Sequence, residues 1–195
     1  MSRAFVLGNG ISRQAINVTA MGQLGPIYGC NALYREHTPD VLVATDRPIA
    51  EHIQRLGYSA NNRFYTRRPL PGLGAQVVPK AYFGHSSGPI AVALAALDQH
   101  QIIYMVGFDL GPSATKTINN VYAGTEFYKP TTAAPTFAGN WIRQLLRVMQ
   151  DFRDTQFVRV AGATTARLAE FESVPNLAHL DLDTFADRIN NKKDL

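Results

Sequence analysis

The chain has a single cysteine, Cys30, so it forms no internal disulfide and no multi-cysteine zinc site. Its five histidines show no H-E-x-x-H spacing, and no metal site is predicted from them. An apolar run of about 18 residues is also missing, which argues against a membrane span. The amino terminus has no charged-then-apolar leader of the signal-peptide kind. These absences favour a cytoplasmic protein.

Charge of one sign is not concentrated in any segment. The formal net charge is +4, yet the basic residues are scattered apart from Arg63, Arg67, Arg68 and a lysine pair at 192–193. Because no basic helix face with interleaved aromatic residues occurs, no nucleic-acid partner is expected. A mildly basic surface still suits an anionic small molecule.

Short apolar runs alternate with helix-like segments along the chain. The runs cover residues 5–7, 27–29, 41–44, 64–65, 102–106 and 157–161, and the helix-like segments cover 47–56, 87–97, 137–152 and 182–189. Continuous apolar runs of this length suit strands buried on both faces, and alternation with helices indicates a parallel sheet. The expected fold is α/β: a single Rossmann-like domain, residues 1–195, with about six mainly parallel strands in a twisted sheet and helices on both faces.

Two stretches interrupt this alternation. Residues 68–82 contain three prolines and two glycines, and residues 110–136 form a long polar and aromatic connection. Long loops inside compact domains are often lids or binding segments, so 110–136 is predicted to be a lid. Residues 164–195 are predicted to form a tail that carries the last helix.

Polar residues follow four of the predicted strands, namely Asn9, Asn31, Asp46 and Asp109. In an open parallel sheet, ligands bind beyond the carboxyl ends of the strands. Each of these residues alone is also a common turn former or helix cap. As a set, and with Ser87 at the start of the helix between two strands, they predict one binding cleft at the carboxyl edge.

The Gly-Asn-Gly turn at residues 8–10 stands where a dinucleotide fingerprint would begin. Arg13 occupies the position of the third glycine of that fingerprint, and Asn31 stands where an acidic residue should end the next strand. An NAD site is therefore not expected, and the absence of a G-K-[ST] pattern excludes a P-loop. What remains is a turn with backbone amides and Ser12 nearby, which suits a phosphate.

The stretch GHSSG at residues 84–88 raises a second hypothesis, because it matches the nucleophile elbow G-x-S-x-G. Ser86 would be the nucleophile, and Asp109 and His179 follow in the order that hydrolases use. A proline and a lysine interrupt the segment before it, which makes a poor buried strand. The competing interpretation is that Ser86 or Ser87 caps the following helix, and Ser86 is not expected to be activated.

Five motifs occur in the order FVLGNGIS, YGCNALY, VLVATD, HSSGPIAVALAAL and IIYMVGFDLG. Over about residues 4–160 this layout resembles the bacterial sialyltransferases that decorate lipooligosaccharide. It is also similar to flagellin-glycosylation accessory proteins and archaeal-type hydroxymethylpterin diphosphokinases. The resemblance implies a phosphorylated ligand, such as a nucleotide or nucleotide-sugar, bound over a Rossmann-like sheet. The implied activity is group transfer, either glycosyltransferase-like or diphosphokinase-like.

The resemblance also implies roles for particular residues. The glycine turn would touch the phosphate or ribose of a CMP-like donor, Asn31 the nucleotide or sugar, and residues 86–88 the nucleotide. Asp109 would shape the pocket, and lid tyrosines would bind phosphate. Together with the strand-end argument, the candidate ligand-binding residues are Asn9, Gly10, Ser12, Asn31, Ser86, Ser87, Gly88, Asp109, Tyr122 and Tyr128.

The chain departs from the sialyltransferases at the position of their general base. Those enzymes use a histidine shortly before the helix that follows the lid, whereas residues 131–141 contain none and Thr136 aligns with it. Asp46 stands where they have an asparagine. The remaining candidates for a catalytic group are Asp46 and His85, and a sialyltransferase of the family type is not expected.

The sequence does not decide the cofactor, the oligomeric state or the choice between three functions. Two isolated aspartates leave Mg²⁺ open as a cofactor without requiring it. The oligomeric state is not set, so a homo-oligomer is left open. A non-catalytic binding or assembly protein on the same fold is the third function considered, beside the transferase and the hydrolase.

Overall fold

The computed structural model describes residues 1–191; residues 192–195, which hold the lysine pair and the end of the predicted tail, lie outside the described part. One eight-stranded sheet organises the chain. Its strands are β1 (Arg3–Leu7), β2 (Ile27–Cys30), β3 (Val41–Val43), β4 (Phe64–Thr66), β5 (Gln76–Val77), β6 (Ile102–Val106), β7 (Gln156–Ala161) and β8 (Leu177–Asp181).

All seven strand pairings are parallel, in the order β5-β4-β3-β2-β1-β6-β7-β8. The strand order reverses between β1 and β6, which is where doubly wound sheets open a crevice for ligands. The predicted single α/β domain with a parallel sheet is confirmed. The predicted count of about six strands is wrong, because the sheet has eight.

The helices cover both faces of the sheet. They are α1 (Val18–Gly22), α2 (Arg47–Arg55), α3 (Tyr58–Asn61), α4 (Ser87–Leu97), α5 (Gly139–Asp151), α6 (Ala169–Glu172) and α7 (Leu182–Asn190). Three 3-10 turns, Ile11–Ala15, Asn31–Arg35 and Lys80–Tyr82, complete the regular structure. The four predicted helices correspond to α2, α4, α5 and α7. None of the helices in residues 1–191 is long and apolar enough to cross a membrane.

Alternating strand residues build two cores, one on each face. Val6 and Met105 face the core that contains α4 and α5, whereas their neighbours Phe5 and Val106 face the core with α2 and α7. Helix α4 is almost wholly apolar and most of its residues are buried, because it lies between the sheet and α5. This packing fixes the amino terminus of α4 above the carboxyl ends of the central strands.

The two strands that the sequence did not predict lie at the edges of the sheet. β5 has two exposed residues inside the stretch 68–82, which is therefore not wholly irregular. β8 mixes apolar and polar residues, and Ala178 and His179 are exposed. Backbone pairing with one neighbour creates such strands, so a search for buried apolar runs does not detect them.

The segment 110–136 contains no helix or strand, as predicted. It is nevertheless attached to the loop that follows β1, because the Val121 amide donates to the Asn9 carbonyl at 2.9 Å. The Ile11 amide likewise donates to Asn119 Oδ1 at 2.8 Å. The segment thus packs over the carboxyl edge, and its role as a lid stays a prediction.

Candidate functional site

The predicted strand-end residues surround one cavity of about 280 Å³ at the carboxyl edge. Asn9, Asn31, Asp46 and Asp109 follow β1, β2, β3 and β6, which are neighbours in the sheet, and all four line the cavity. Ser87, the first residue of α4, lines it as well. Parallel strands deliver their carboxyl ends to one edge, which is why residues up to 100 positions apart meet here.

A buried hydroxyl joins three of the elements around the cavity. Ser87 Oγ donates to Asn31 Oδ1 at 3.0 Å and accepts the Thr45 amide at 3.0 Å. Because its single proton goes to Asn31, the Thr45 hydroxyl, also at 3.0 Å, must donate to Ser87. The side-chain NH₂ of Asn31 then has no partner within residues 1–191. It is a hydrogen-bond donor available to a ligand.

Asn31 also has a structural reason to be an asparagine. Its φ is +53°, in the left-handed region that asparagine adopts more readily than most residues. This backbone conformation turns the chain from β2 directly into the 3-10 turn Asn31–Arg35. Asparagine is therefore suited to the backbone conformation of this turn, and the turn places the side-chain amide of Asn31 at the cavity.

The amino terminus of α4 supplies unpaired backbone donors. The Ser86 amide donates to Gln144 Oε1 at 2.8 Å, but the amides of Ser87 and Gly88 make no hydrogen bond within the described chain. Ser86 occupies the cap position without a side-chain cap bond, and its Oγ accepts from Trp141 Nε1 at 3.1 Å. The 11-residue helix directs its partial positive charge at the cavity, where it favours an anion.

The glycine turn differs from its prediction as a phosphate cradle. The Gly8 and Gly10 amides donate to the carbonyls of Val106 and Gly107, both at 2.8 Å. Only Asn9 in this turn keeps an unpaired amide within the described chain. A Cβ on Gly10 would lie 2.6 Å from Asp109 Cγ, so glycine is required there for close packing. The two glycines of the turn leave room for the residues after β6 to approach closely.

Asp109 is buried, at 2 % exposure, and its carboxylate is occupied by the protein. It accepts the Ser12 amide at 3.0 Å, the Ser12 hydroxyl, and the hydroxyls of Thr164 and Thr165 at 2.9 and 3.1 Å. The buried Arg159 donates to the carbonyl of Asp109 at 3.0 Å. Asp109 thus connects three loops beneath the cavity.

Burial lowers the pKa of Arg159 to about 10, although the negative charge of Asp109 acts in the opposite direction. Its guanidinium also donates to the carbonyls of Phe108 and Ala166, at 3.0 and 2.8 Å. A charged residue in the middle of β7 gave no signal in the sequence. It supports the site by holding the loop that carries Asp109.

Asp46 and Arg67 bring opposite charges to the cavity wall. Asp46 is exposed, and its carboxylate makes no hydrogen bond or ion pair within the described residues. It holds the cap position of α2, but its side chain makes no capping hydrogen bond. Arg67 directly follows β4 and donates from Nε to the Phe83 carbonyl at 2.8 Å and from Nη2 to that of His85 at 2.7 Å.

The described residues do not form a magnesium site. No group of three or more histidine, cysteine, aspartate or glutamate side chains within residues 1–191 is placed to hold a metal. Asp46 is the free carboxylate at the cavity, whereas Asp109 has both oxygens engaged by protein donors. The residues present therefore do not fit a bound Mg²⁺, and no chemical step is assigned to one.

Four predicted site residues do not line the cavity, namely Ser12, His85, Tyr122 and Tyr128. Tyr122 accepts from Arg13 Nη2 at 2.6 Å and Tyr128 accepts from the Ala32 amide at 3.2 Å, so both hydroxyls hold the segment 110–136 in place. The predicted role of these tyrosines as phosphate ligands would require that segment to move. His85 packs against Tyr82, and burial lowers its pKa.

The hydrolase arrangement finds no support in the contacts of Ser86. Its Oγ is bonded to Trp141, and no histidine hydrogen-bonds to it within residues 1–191. His179 lies at a separate depression beside β7 and β8, and Asp109 is held by Ser12 and two threonines. The three residues that hydrolases require do not form a hydrogen-bonded triad here.

Several cavity residues were missed by the sequence argument. They are Thr45, Arg67, Asn119, Asn120 and Trp141. Arg67 stood out only as part of a basic cluster, although it follows a predicted strand just as Asp46 does. Trp141 lies inside the predicted helix 137–152. Nothing in the sequence indicated that this helix begins beside α4.

No protein-family model matches the chain, and no curated protein matches it in sequence. Solved structures do resemble it. The sialyltransferase CstII from Campylobacter jejuni, in complex with the substrate analogue cytidine-5′-monophosphate, superposes with a TM-score of 0.53 at 11% identity, covering 82% of this chain and 79% of that chain. The sialyltransferase CST-II with a trisaccharide acceptor and CMP gives a TM-score of 0.52 at 12% identity, with 89% and 86% covered. The chain therefore has a sialyltransferase-like fold.

Proposed function

We propose that this protein binds a nucleotide or nucleotide-sugar in the carboxyl-edge cavity and transfers the group that the nucleotide carries. The observation that carries the proposal is the convergence of unpaired donors on one cavity: the NH₂ of Asn31 and the amides of Ser87 and Gly88. Such donors recognise a phosphate or a base carbonyl. The CMP complexes of the two sialyltransferases with a similar fold agree with this ligand class.

Trp141 suits the base or sugar of such a ligand. Its indole lines the cavity, and its orientation is fixed by the hydrogen bond to Ser86. An aromatic face offers stacking area to either a base or a sugar ring. In this arrangement the phosphate lies at the amino terminus of α4 and the ring lies against the indole.

Asp46 is the better placed of the two candidate bases. It lines the cavity with a free carboxylate, whereas His85 lies outside it. In the transfer step an acceptor hydroxyl oxygen forms a bond to the anomeric carbon, the bond from that carbon to the phosphate oxygen breaks, and the nucleotide leaves with the electron pair. Asp46 takes the hydroxyl proton, and the unpaired amides of α4 stabilise the leaving phosphate.

The binding test uses the fluorescence of Trp141, the only tryptophan of the chain. Nucleotides, nucleotide-sugars and pterins are titrated with and without magnesium, and melting temperatures are measured in parallel. A nucleotide that binds should change the fluorescence and raise the melting temperature by mass action. Asn31→Asp should weaken binding about tenfold, because it replaces a donor with a negative charge. Asn61→Asp, an exposed change on α3, is the matched control.

A panel in which no nucleotide changes either signal would refute the binding proposal. A pterin that binds in preference to every nucleotide would favour the diphosphokinase-like alternative. Binding without any transfer to a panel of acceptors would instead favour the non-catalytic protein.

The transfer test begins with CMP-sialic acid and a panel of galactosides. Since residues 131–141 contain no histidine, we expect little or no sialyl transfer. With whichever donor supports turnover, Asp46→Asn should lower the rate by about 10²–10⁴ and leave donor binding measurable. Turnover that persists in both Asp46→Asn and His85→Ala would show that neither residue is the base.

A further inference from the structure

A second depression of about 210 Å³ adjoins the cavity, and the proposed function does not use it. The two share three lining residues, Thr45, Asp46 and Arg67. The second depression lies beyond the carboxyl ends of β3 and β4, and Arg47, Glu51 and Arg68 complete its charged wall. A ligand in the main cavity can therefore extend past Arg67 into this space.

Two guanidinium groups around the second depression have no carboxylate partner. Arg47 forms an ion pair, because its Nε donates to the Glu51 carboxylate at 2.6 Å and the two charges offset each other. This bond, with weaker effects from Arg55 and Arg68, holds the pKa of Glu51 below its ordinary value. Arg68 makes no side-chain hydrogen bond within the described residues, and Arg67 keeps Nη1 unbonded.

Arg67 is preorganised for an anion. Two main-chain carbonyls fix its guanidinium at the boundary between the two spaces, so it loses little freedom when it binds. One unpaired carboxylate, Asp46, opposes the two available guanidinium groups. A ligand with one phosphate would use only the main cavity, and it would leave Arg68 without an anionic partner.

We propose that this second depression is a subsite for a second anionic group of the ligand, bound by Arg67 and Arg68. The inference rests on the proposed nucleotide-binding function and specifies its substrate class. The group is either the second phosphate of a nucleoside diphosphate or a carboxylate on the transferred sugar. Both present paired oxygens that match the planar guanidinium.

The experiment compares the affinities of CMP, CDP and CMP-sialic acid by Trp141 fluorescence, in buffer with a chelator so that no metal contributes. We expect the ligand with the matching second anion to bind about tenfold or more tightly than CMP. Arg68→Ala should reduce that preference about tenfold, and Arg67→Ala should reduce it at least as much. Arg55→Ala removes a positive charge from the end of α2, where it lines neither space, and serves as the control.

A preference for CDP would identify the second anion as a phosphate, and a preference for CMP-sialic acid would identify it as a carboxylate. Equal affinity for all three ligands would overturn the subsite and leave the proposed function standing. A preference unaffected by Arg68→Ala and Arg67→Ala would also overturn it. Absence of binding by every nucleotide would refute the proposed function itself.

Discussion

Replacing Asp109 with asparagine should loosen the contact between three loops at the carboxyl edge of the sheet. The carboxylate accepts four hydrogen bonds, two on each oxygen, from Ser12, Thr164 and Thr165. Asparagine has nearly the same shape but keeps only one accepting oxygen, and it carries no charge. The substitution therefore changes the hydrogen bonding without creating a cavity.

The expected cost follows from the loss of charge assistance. A hydrogen bond to a charged group contributes about 1.5–3 kcal/mol, and a neutral one contributes about 1 kcal/mol. Since the two bonds at the converted oxygen suffer most, Asp109→Asn should lower the free energy of unfolding by about 2–3 kcal/mol. In a chain of this length that corresponds to a fall in melting temperature of about 5–10 °C. Asp109→Ala should cost more, because it strands the buried Ser12 amide.

Urea unfolding and calorimetry of the wild type and variants provide the assay. Asp154→Asn is the matched control, because Asp154 is exposed and makes no side-chain hydrogen bond within the described residues. Its unfolding free energy should stay within about 0.5 kcal/mol of the wild type. If Asp109→Asn were as mild as this control, the four hydrogen bonds would contribute no net stability, and the structural role assigned to Asp109 would be refuted.

Three further predictions concern other residues. Burial raises the pKa of the Cys30 thiol to about 12, so a disulfide reagent at neutral pH should label it far more slowly in the folded than in the unfolded protein; equal rates would contradict this. Burial alone would raise the pKa of Asp98. Its hydrogen bonds, first of all the one from Arg63, have the larger combined effect and hold this pKa below its ordinary value. Its stabilisation should therefore be present above about pH 4 and be lost as the pH falls through the folded pKa. Arg63→Ala should remove up to about 1 kcal/mol of this pH-dependent stability, as measured by urea unfolding at a series of pH values. If the free energy of unfolding fell with acid in the same way as in the wild type, the pairing of Arg63 with Asp98 would be refuted. A fluorophosphonate should not label Ser86 stoichiometrically, and labelling seen by mass spectrometry would revive the hydrolase.

The sequence predicted the central part of the fold because burial on both faces leaves a clear pattern. β6, and β1 after Arg3, are uninterrupted apolar runs, and α4 is almost wholly apolar. The edge strands carry no such pattern. β5 and β8 exist because their backbones pair with a neighbour, and their side chains are largely exposed.

The polar residues at the strand ends predicted the place of the cavity for a related reason. Parallel strands must deliver their next residues to one edge, so Asn9, Asn31 and Asp46 converge whatever their detailed contacts. The sequence could not show how each polar group is used. The Gly8 and Gly10 amides donate to the carbonyls of Val106 and Gly107 at the end of β6, and these hydrogen bonds form only when β1 and β6 lie side by side.

Asp46 and Asp109 show how a free carboxylate differs from one that is engaged by the protein. Both are aspartates just after a strand, and both line the cavity, so residue type and position do not distinguish them. Asp109 has its oxygens engaged by four donors, whereas Asp46 has none within the described residues. Because a ligand must compete with any partner that a group already has, we propose the free carboxylate of Asp46, and not Asp109, as the group that takes a proton from an acceptor. The same reasoning separates Asn31, whose NH₂ is free, from Ser87, whose hydroxyl is fully used in orienting it.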